Sequence, residues 1–135
     1  MKSTRRGMKI GAMFCCLLAA AGTLTGCGKT GGKTAEAMQM LQELSYQEAL
    51  ELFAAAEDAG ENSRLIARGR GIAYMGLTDY AQAVENFMEA LTGSDGFVQP
   101  IDFDLNYYLA AAYIKNGQSA EAEAAYDAIL MMRPD

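Results

Sequence analysis

The sequence predicts an all-α fold, a short α-solenoid built from repeated pairs of helices. A group of small and aromatic residues recurs after 34 positions: Tyr46, Ala49, Phe53 and Ala56 return as Tyr80, Ala83, Phe87 and Ala90. Spacings of three and four within the group place its members on one face of a helix. No stretch alternates convincingly between apolar and polar residues with the period of two that marks a strand. A fixed period of this length is the signature of a stacked helical repeat.

A third copy of the pattern follows at a longer spacing of 39 residues. The five extra residues fall within 93–101, whose glycines and proline mark a loop. The matches between the third and the second copy are Tyr113 for Tyr74, Ala122 for Ala83 and Tyr126 for Phe87.

This register predicts six helices, near residues 34–44, 46–58, 63–76, 80–92, 104–116 and 119–132. Ser45, with a glutamate three residues later, forms a capping-box sequence before the second helix. Asp79, with a glutamine three residues later, forms a looser one before the fourth. Gly60 and Gly117 follow the second and fifth helices, where glycine commonly ends a helix.

The period, the residue types and their order resemble the tetratricopeptide repeat. In that family, pairs of antiparallel helices stack into a right-handed superhelix. The resemblance implies three repeats, at about 30–63, 64–102 and 103–135. Gly71 and Ala110 would lie where the two helices of a pair cross, because a small residue lets helices approach closely. Thr78 departs from the pattern, since the family usually has glycine at that turn.

The resemblance also implies a partner groove, because the first helices of tetratricopeptide repeats line a concave surface. Its residues in repeats two and three would be Leu65, Arg68, Ile72, Met75, Asp104, Tyr107, Ala111 and Ile114, with Lys115 adjacent. Such a mostly apolar groove with two charged points suits an extended or helical peptide. The alternative is that Arg68 and its neighbours Arg64 and Arg70 form an ordinary solvated face, or pair with nearby acids such as Asp58 and Glu61.

The first 26 residues have the layout of a secretory signal peptide. Four basic residues precede an uncharged apolar stretch at 10–24, and small residues follow it. The sequence Leu-Thr-Gly-Cys that ends at Cys27 resembles the lipobox of bacterial lipoproteins. The resemblance implies cleavage before Cys27 and a diacylglycerol on its thiol. The alternative is an uncleaved signal anchor, but the apolar stretch is short for the roughly 20 residues that span a bilayer.

The lipid would divide the chain into a signal peptide at 1–26, a flexible tether at 27–33 and a helical domain at 34–135. The expected location is the extracytoplasmic side of a cell membrane, or the outer membrane if the cell is Gram-negative. Acyl chains, rather than basic residues, would then hold the protein on the membrane.

Loss of the signal peptide would leave a strongly acidic chain. The sequence has 11 Lys and Arg against 17 Asp and Glu, and four of the basic residues precede Cys27. The seven that remain give a net charge of −10 with the 17 acids. A surface this acidic argues against nucleic acid or anionic lipid headgroups as partners, because both require basic patches.

Several common catalytic and metal sites are excluded by residue type. The sequence has no His, and its three Cys are Cys15 and Cys16 in the signal segment and Cys27. Ordinary zinc sites, Cys-His pairs and Ser-His-Asp triads therefore lack their residues. Gly-Lys-Thr occurs at 28–30 and 32–34 without the glycine spacing of a phosphate loop, so a nucleotide-binding enzyme is a remote alternative. We expect no enzyme activity and no cofactor apart from the lipid on Cys27.

The last predicted helix ends in apolar residues that a further repeat would normally cover. Ile129, Leu130 and Met132 form this open C-terminal edge. We expect it to be covered by a homodimer or by a partner. The alternative is that one exposed apolar strip is tolerated.

These features predict a membrane-anchored lipoprotein whose repeat domain mediates protein-protein interaction. A permanent accessory subunit of a secretion or envelope-assembly complex is the alternative, and it differs in having a fixed partner. In both interpretations the ligand is another protein or a peptide.

Overall fold

The structure of the protein is a computed structural model, and it describes residues 32–133. Six α-helices make up this part of the chain. They are α1 Lys33–Gln42, α2 Tyr46–Asp58, α3 Ser63–Gly76, α4 Tyr80–Thr92, α5 Pro100–Lys115 and α6 Ser119–Met132. No strand is present between residues 32 and 133, so the all-α prediction is confirmed. The predicted signal peptide, Cys27 and the tether up to residue 31 lie outside the described residues.

The helices pack as successive pairs, α1 with α2, α3 with α4, and α5 with α6. Short turns inside each pair make its helices antiparallel. Neighbouring pairs pack through α2 with α3 and through α4 with α5, and the first helices α1, α3 and α5 also contact in sequence. This is the short helical-repeat solenoid that the period predicts. Residues 31–135 form one compact unit that contains both hydrophobic clusters, so a fragment beginning at Gly31 has the core it needs to fold by itself.

Two aromatic side chains form the centre of the core, one from the second helix of each of the first two pairs. Phe53 and Phe87 are fully buried, as are the alanines that share their helix faces. Gly71 lets α3 approach Phe87, because a Cβ atom there would lie 2.4 Å from the ring. Gly69, which the repeat pattern did not single out, does the same for Phe53, at 2.0 Å. The predicted packing of aromatic against small residues is confirmed.

The turn inside each pair has the same backbone conformation in all three repeats. Leu44, Thr78 and Gly117 stand at matching positions of the 34- and 39-residue spacings, with φ angles of 60°, 62° and 78°. A left-handed φ brings Cβ too close to the backbone, at a cost of roughly 1–2 kcal/mol for a residue other than glycine. Thr78, with its branched Cβ, keeps the turn at that cost, whereas Gly117 avoids it.

The largest difference from the predicted helix bounds is the start of α5, at Pro100 instead of residue 104. Proline suits the first helical position because its missing N–H would have no intrahelical partner there. α1 begins at Lys33, inside the predicted tether, and ends at Gln42 rather than residue 44. Helix ends are set by a few capping hydrogen bonds, which a repeat period does not encode.

The two predicted capping sequences behave differently. The Asp79 carboxylate accepts a hydrogen bond from the Gln82 amide, as expected. Ser45 makes no side-chain capping bond, so the capping box predicted for α2 is wrong. The two residues have similar backbone angles, φ −86° and ψ 66° for Ser45 against −89° and 77° for Asp79. The two caps therefore differ in their side chains rather than in their backbone conformation.

Candidate partner-binding site

A groove of about 820 Å³ lies between α1 and α3, on the side formed by the first helices. It contains Leu65 and Arg68, two of the predicted groove residues. Leu65, in the first turn of α3, is 43% exposed. The opposite wall comes from α1, which the sequence did not assign to the groove because its residues lack the repeat's small and aromatic pattern. The α1 residues are Thr34, Ala35, Met38, Gln39 and Gln42, and Gly32, Glu43 and Glu61 complete the lining.

A second concavity, of about 520 Å³, lies along α5. It contains the predicted residues Asp104 and Tyr107, and Tyr107 is 65% exposed. Phe103 and Tyr108 also line it, together with Pro100. Their spacing along α5 could have identified them, because residues three, four and seven apart share a helix face.

Arg68 joins the two concavities and is not the free charged point that the sequence predicted. Its guanidinium forms an ion pair with the Asp104 carboxylate and lies 5.5 Å from the centre of the Tyr108 ring. The Arg68 side chain is only 19% exposed. The expectation that Arg68 is an exposed, unpaired charge is therefore wrong, because α5 supplies both a carboxylate and an aromatic face to a guanidinium from α3.

The other two arginines are also paired, as one of the sequence alternatives proposed, but with other partners. Arg64 forms an ion pair with the buried Asp102 and donates a second hydrogen bond to the Ala90 carbonyl at 2.8 Å. Arg70 donates to Glu57 at 2.5 Å. This hydrogen bond, together with the charge of Arg70, lowers the pKa of the Glu57 carboxyl. Asp58 and Glu61 were the partners suggested by sequence proximity. The helix packing instead brings residues of different helices to the guanidinium groups.

Glu61 has a separate function at the start of α1. Its two carboxylate oxygens accept hydrogen bonds from the backbone amides of Lys33 and Thr34, at 2.7 and 2.9 Å. The first amides of a helix lack intrahelical partners and carry partial positive charge, so a carboxylate there stabilises the helix. The hydrogen bonds that Glu61 accepts at Thr34 and from the Lys33 amide lower the pKa of its carboxyl. Glu61 therefore fixes the α1 wall of the groove to the loop that precedes α3.

The remaining predicted groove residues divide between groove and core. Ile72 and Met75 are half-buried and pack against the hydrophobic clusters, so their assignment to an open groove is wrong. Ala111 is also half-buried, whereas Ile114 and Lys115 are exposed near the end of α5. Between α3 and α5 the solenoid is tight enough to cover side chains that the family positions would leave open.

Leu130, one of the residues predicted for the open C-terminal edge, is 62% exposed. Met131, which the sequence did not place at this edge, is 84% exposed. Met132 is half-buried and lines a small concavity with Leu91 and Val98, so its assignment to the open edge is wrong. Ile129 is half-buried. The loop before α5 lines the same concavity through Phe97 and Val98.

Residues 32–133 include no cluster of side chains arranged to hold a metal ion. None of the helices that the structure describes is long and apolar enough to cross a membrane. What the two concavities offer is apolar contact, aromatic stacking and a few hydrogen-bonding groups. This chemistry fits recognition of a polypeptide.

Comparison with known families agrees with the fold. Residues 74–135, which cover the end of α3 and all of α4, α5 and α6, match the family model of the tetratricopeptide repeat. Searches of the curated proteins and of the solved structures gave no significant match. Tetratricopeptide repeats generally mediate protein-protein interaction. Residues 74–135 of this helical solenoid are therefore similar to the tetratricopeptide repeat.

Proposed function

We propose that the chain is a lipid-anchored protein on the extracytoplasmic side of a membrane, and that its repeat domain binds another protein or a peptide. The observation that carries the binding proposal is the open groove between α1 and α3, with Met38 and Leu65 in its lining. Leu65 leaves part of its apolar side chain open to water in this groove. A partner that covers it would remove that apolar surface from water.

The paired arginines support binding driven by apolar contacts. Arg68 is neutralised by Asp104 and also packs on Tyr108, so it contributes a planar, hydrogen-bonding surface rather than a free charge. An extended or helical peptide would contact Leu65 and Tyr107 through its apolar side chains. The guanidinium between them would orient the peptide backbone.

A single leucine substitution tests the groove. Leu65→Glu places a charge in the apolar lining, and we expect it to abolish partner recovery when the full chain is purified from detergent-solubilised membranes. Leu44→Glu is the matched control, because Leu44 is 69% exposed in the α1–α2 turn and does not line the groove. Both variants should keep the wild-type helical circular dichroism. Full partner recovery by folded Leu65→Glu would contradict the proposal.

The same purification separates a transient peptide binder from a permanent subunit. A permanent partner stays in a fixed ratio to the chain through extensive washing. A transient ligand is lost on washing and returns when membrane extract is added back. In both cases Leu65→Glu should act as described.

The anchor rests on the sequence that ends at Cys27, and it has its own test. Cys27→Ser should leave an uncleaved precursor that takes up no labelled fatty acid in cells. Cys16→Ser is the control, because it makes the same cysteine-to-serine change within the signal segment and leaves the lipobox sequence unchanged. Labelling of the Cys27→Ser chain at the wild-type level would exclude the lipoprotein.

A further inference from the structure

Three equivalent aromatic residues have different surroundings in the three repeats. Phe53, Phe87 and Tyr126 occupy the same position on α2, α4 and α6. Phe53 and Phe87 are fully buried, whereas Tyr126 is 39% exposed. The repeat pattern is the same in each case, so the difference arises from what lies next to it.

In each of the first two repeats, the next first helix covers the aromatic ring. α3 covers Phe53 through Gly69, and α5 covers Phe87 through Tyr108, whose ring stacks on it with 5.4 Å between centroids. Gly69 and Tyr108 are 39 residues apart, so they are the same position of successive repeats. Among the described residues no helix follows α6 to do this for Tyr126. The exposed surface of α5 and α6 therefore corresponds to the surfaces of the earlier repeats on which α3 and α5 pack.

The exposed apolar residues of this α5–α6 surface form a strip that suits packing against one face of a further helix. Tyr107 and Tyr126 make an edge-to-face contact at 6.2 Å, and Ile114 and Leu130 extend the surface along α5 and α6. Ile114 and Leu130 correspond to Met75 and Leu91 one repeat earlier, which are half-buried against the core. We name Tyr107, Ile114, Tyr126 and Leu130 the C-terminal seat.

The C-terminal seat also differs in charge from the equivalent surface of α3 and α4, on which α5 packs. α3 holds α5 through Arg64 and Arg68, which pair with aspartates of α5. The equivalent residues of α5 are Phe103 and Tyr107, two aromatic rings that attract a cation rather than a carboxylate. A helix in this seat would therefore present Lys or Arg to Tyr107, as α3 presents Arg68 to Tyr108.

Acidic residues of α6 strengthen this preference. Glu123 and Asp127 lie one turn from Tyr126 and Leu130 on the exposed side of α6, and neither belongs to an ion pair within residues 32–133. α2, α4 and α6 contain no Lys or Arg at all. A second copy would bring another strongly acidic domain, with the same charge as the first, against this surface, so repulsion opposes a homodimer here.

We propose that the C-terminal seat binds a basic amphipathic helix of a partner protein, which completes the stack in the way that α5 completes the seat of α3 and α4. A small or apolar residue of that helix packs on Tyr126 and Leu130, and its basic residues face Tyr107, Glu123 and Asp127. This surface shares Tyr107 with the peptide contacts of the proposed function, but none of its four residues lines the α1–α3 groove.

Synthetic peptides test the seat on the fragment 31–135, which contains the complete core. The probe is a peptide of 16 residues, the length of α5, with a Leu/Ala face flanked by Lys. One comparison peptide has Glu in place of each Lys, and another has the Lys sequence scrambled so that the apolar face is lost. Binding is measured by fluorescence anisotropy, and sedimentation without peptide reports the oligomeric state.

The proposal expects the basic amphipathic peptide to bind at least about tenfold more tightly than either comparison peptide, since 1.4 kcal/mol corresponds to tenfold in affinity. Leu130→Gln should weaken that binding about tenfold without changing helicity, whereas Leu65→Gln in the groove should leave it unchanged. Equal binding of the scrambled or the acidic peptide would overturn the proposal. So would a concentration-dependent dimer that Leu130→Gln abolishes, or a monomer that binds none of the peptides.

Discussion

Repeat two and repeat three share one sequence pattern but differ in how completely the pattern is buried. Phe87 of repeat two is fully enclosed, with Gly71 of its own pair on one side and Tyr108 of the next on the other. Tyr126 of repeat three has Tyr107 beside it and remains partly exposed. A repeat position therefore encodes a side chain that is ready to be buried, and the next helix determines whether it is. Tyrosine suits the partly exposed position better than phenylalanine does, because its hydroxyl group can hydrogen-bond to water.

The largest expected effect comes from removing the enclosed ring. Phe87→Ala should lower the free energy of unfolding by about 3–5 kcal/mol, because it leaves a cavity in the core. Tyr126→Ala should lower it by only about 1 kcal/mol, because the ring is already in contact with water. Urea denaturation of the fragment 31–135 measures both. Equal losses would show that Tyr126 is as well packed as Phe87, which would remove the contrast between the two repeats.

Adding a methyl group at Gly71 tests the close approach of α3 to the Phe87 ring. Gly71→Ala should destabilise the fold by about 1–3 kcal/mol, since the new Cβ would overlap the Phe87 ring. Gly93→Ala is the control, because its Cβ would meet its nearest neighbour at an ordinary 3.6 Å. Ala110 already carries this methyl group at the equivalent position of repeat three, and Ala110→Gly should cost about 0.5–1 kcal/mol. A stabilised Gly71→Ala variant would mean that α3 and α4 are less tightly packed than the structure shows.

Substitutions in the turns of repeats two and three should change the free energy of unfolding by a smaller amount. The first of them should stabilise the fold rather than destabilise it. Thr78→Gly should raise the free energy of unfolding by about 0.5–1 kcal/mol, because relief of the left-handed φ outweighs the greater freedom of glycine in the unfolded chain. The reverse change, Gly117→Thr, should destabilise repeat three at the equivalent position. Thermal melting followed by circular dichroism compares the two variants. Destabilisation by Thr78→Gly would show that the threonine side chain stabilises its turn by some contact that offsets the strain.

The smallest expected effect concerns the opposite end of the stack, where Glu61 holds α1. The lowered pKa of Glu61 means that its carboxylate stabilises the folded state above its ordinary pKa of 4.5, and that this stabilisation is lost as the pH falls through the lowered value. The melting temperature of Glu61→Gln should therefore lie below that of wild type at pH 7, and the difference should narrow as the pH is lowered below 4.5. A difference that stays constant as the pH is lowered would show that Glu61 acts through packing rather than through its charge.

The repeat period was sufficient to predict most of the fold. The spacing of Phe53 and Phe87 among alanines predicted the six helices, their order and the face that each second helix buries. Periodicity is a local property, and in this chain the alanines and aromatic residues that carry it are the residues that form the core. The bounds of α1 and α5 were less accurate, because hydrogen bonds that the Glu61 carboxylate accepts, and capping contacts around Pro100, determine them.

The candidate site was only partly predictable. Leu65 and Tyr107 are both exposed, at two different repeat positions that the resemblance assigns to the concave side. The state of Arg68 depended on Asp104, 36 residues away, and that of Arg64 on Asp102, 38 residues away. No local pattern connects residues so far apart, since the packing of α3 against α5 brings them together.

The sequence by itself determined the helical pairs, the turn positions and the acidic character of the second helices. Tertiary structure alone decided which charges are paired, which apolar side chains remain open to a partner, and which aromatic rings are enclosed. The physical reason is that helix formation depends on residues within a few turns, whereas burial depends on the neighbouring helix. Tyr126 and Phe87 have the same place in the pattern, and only the helix beside them makes one core and the other surface.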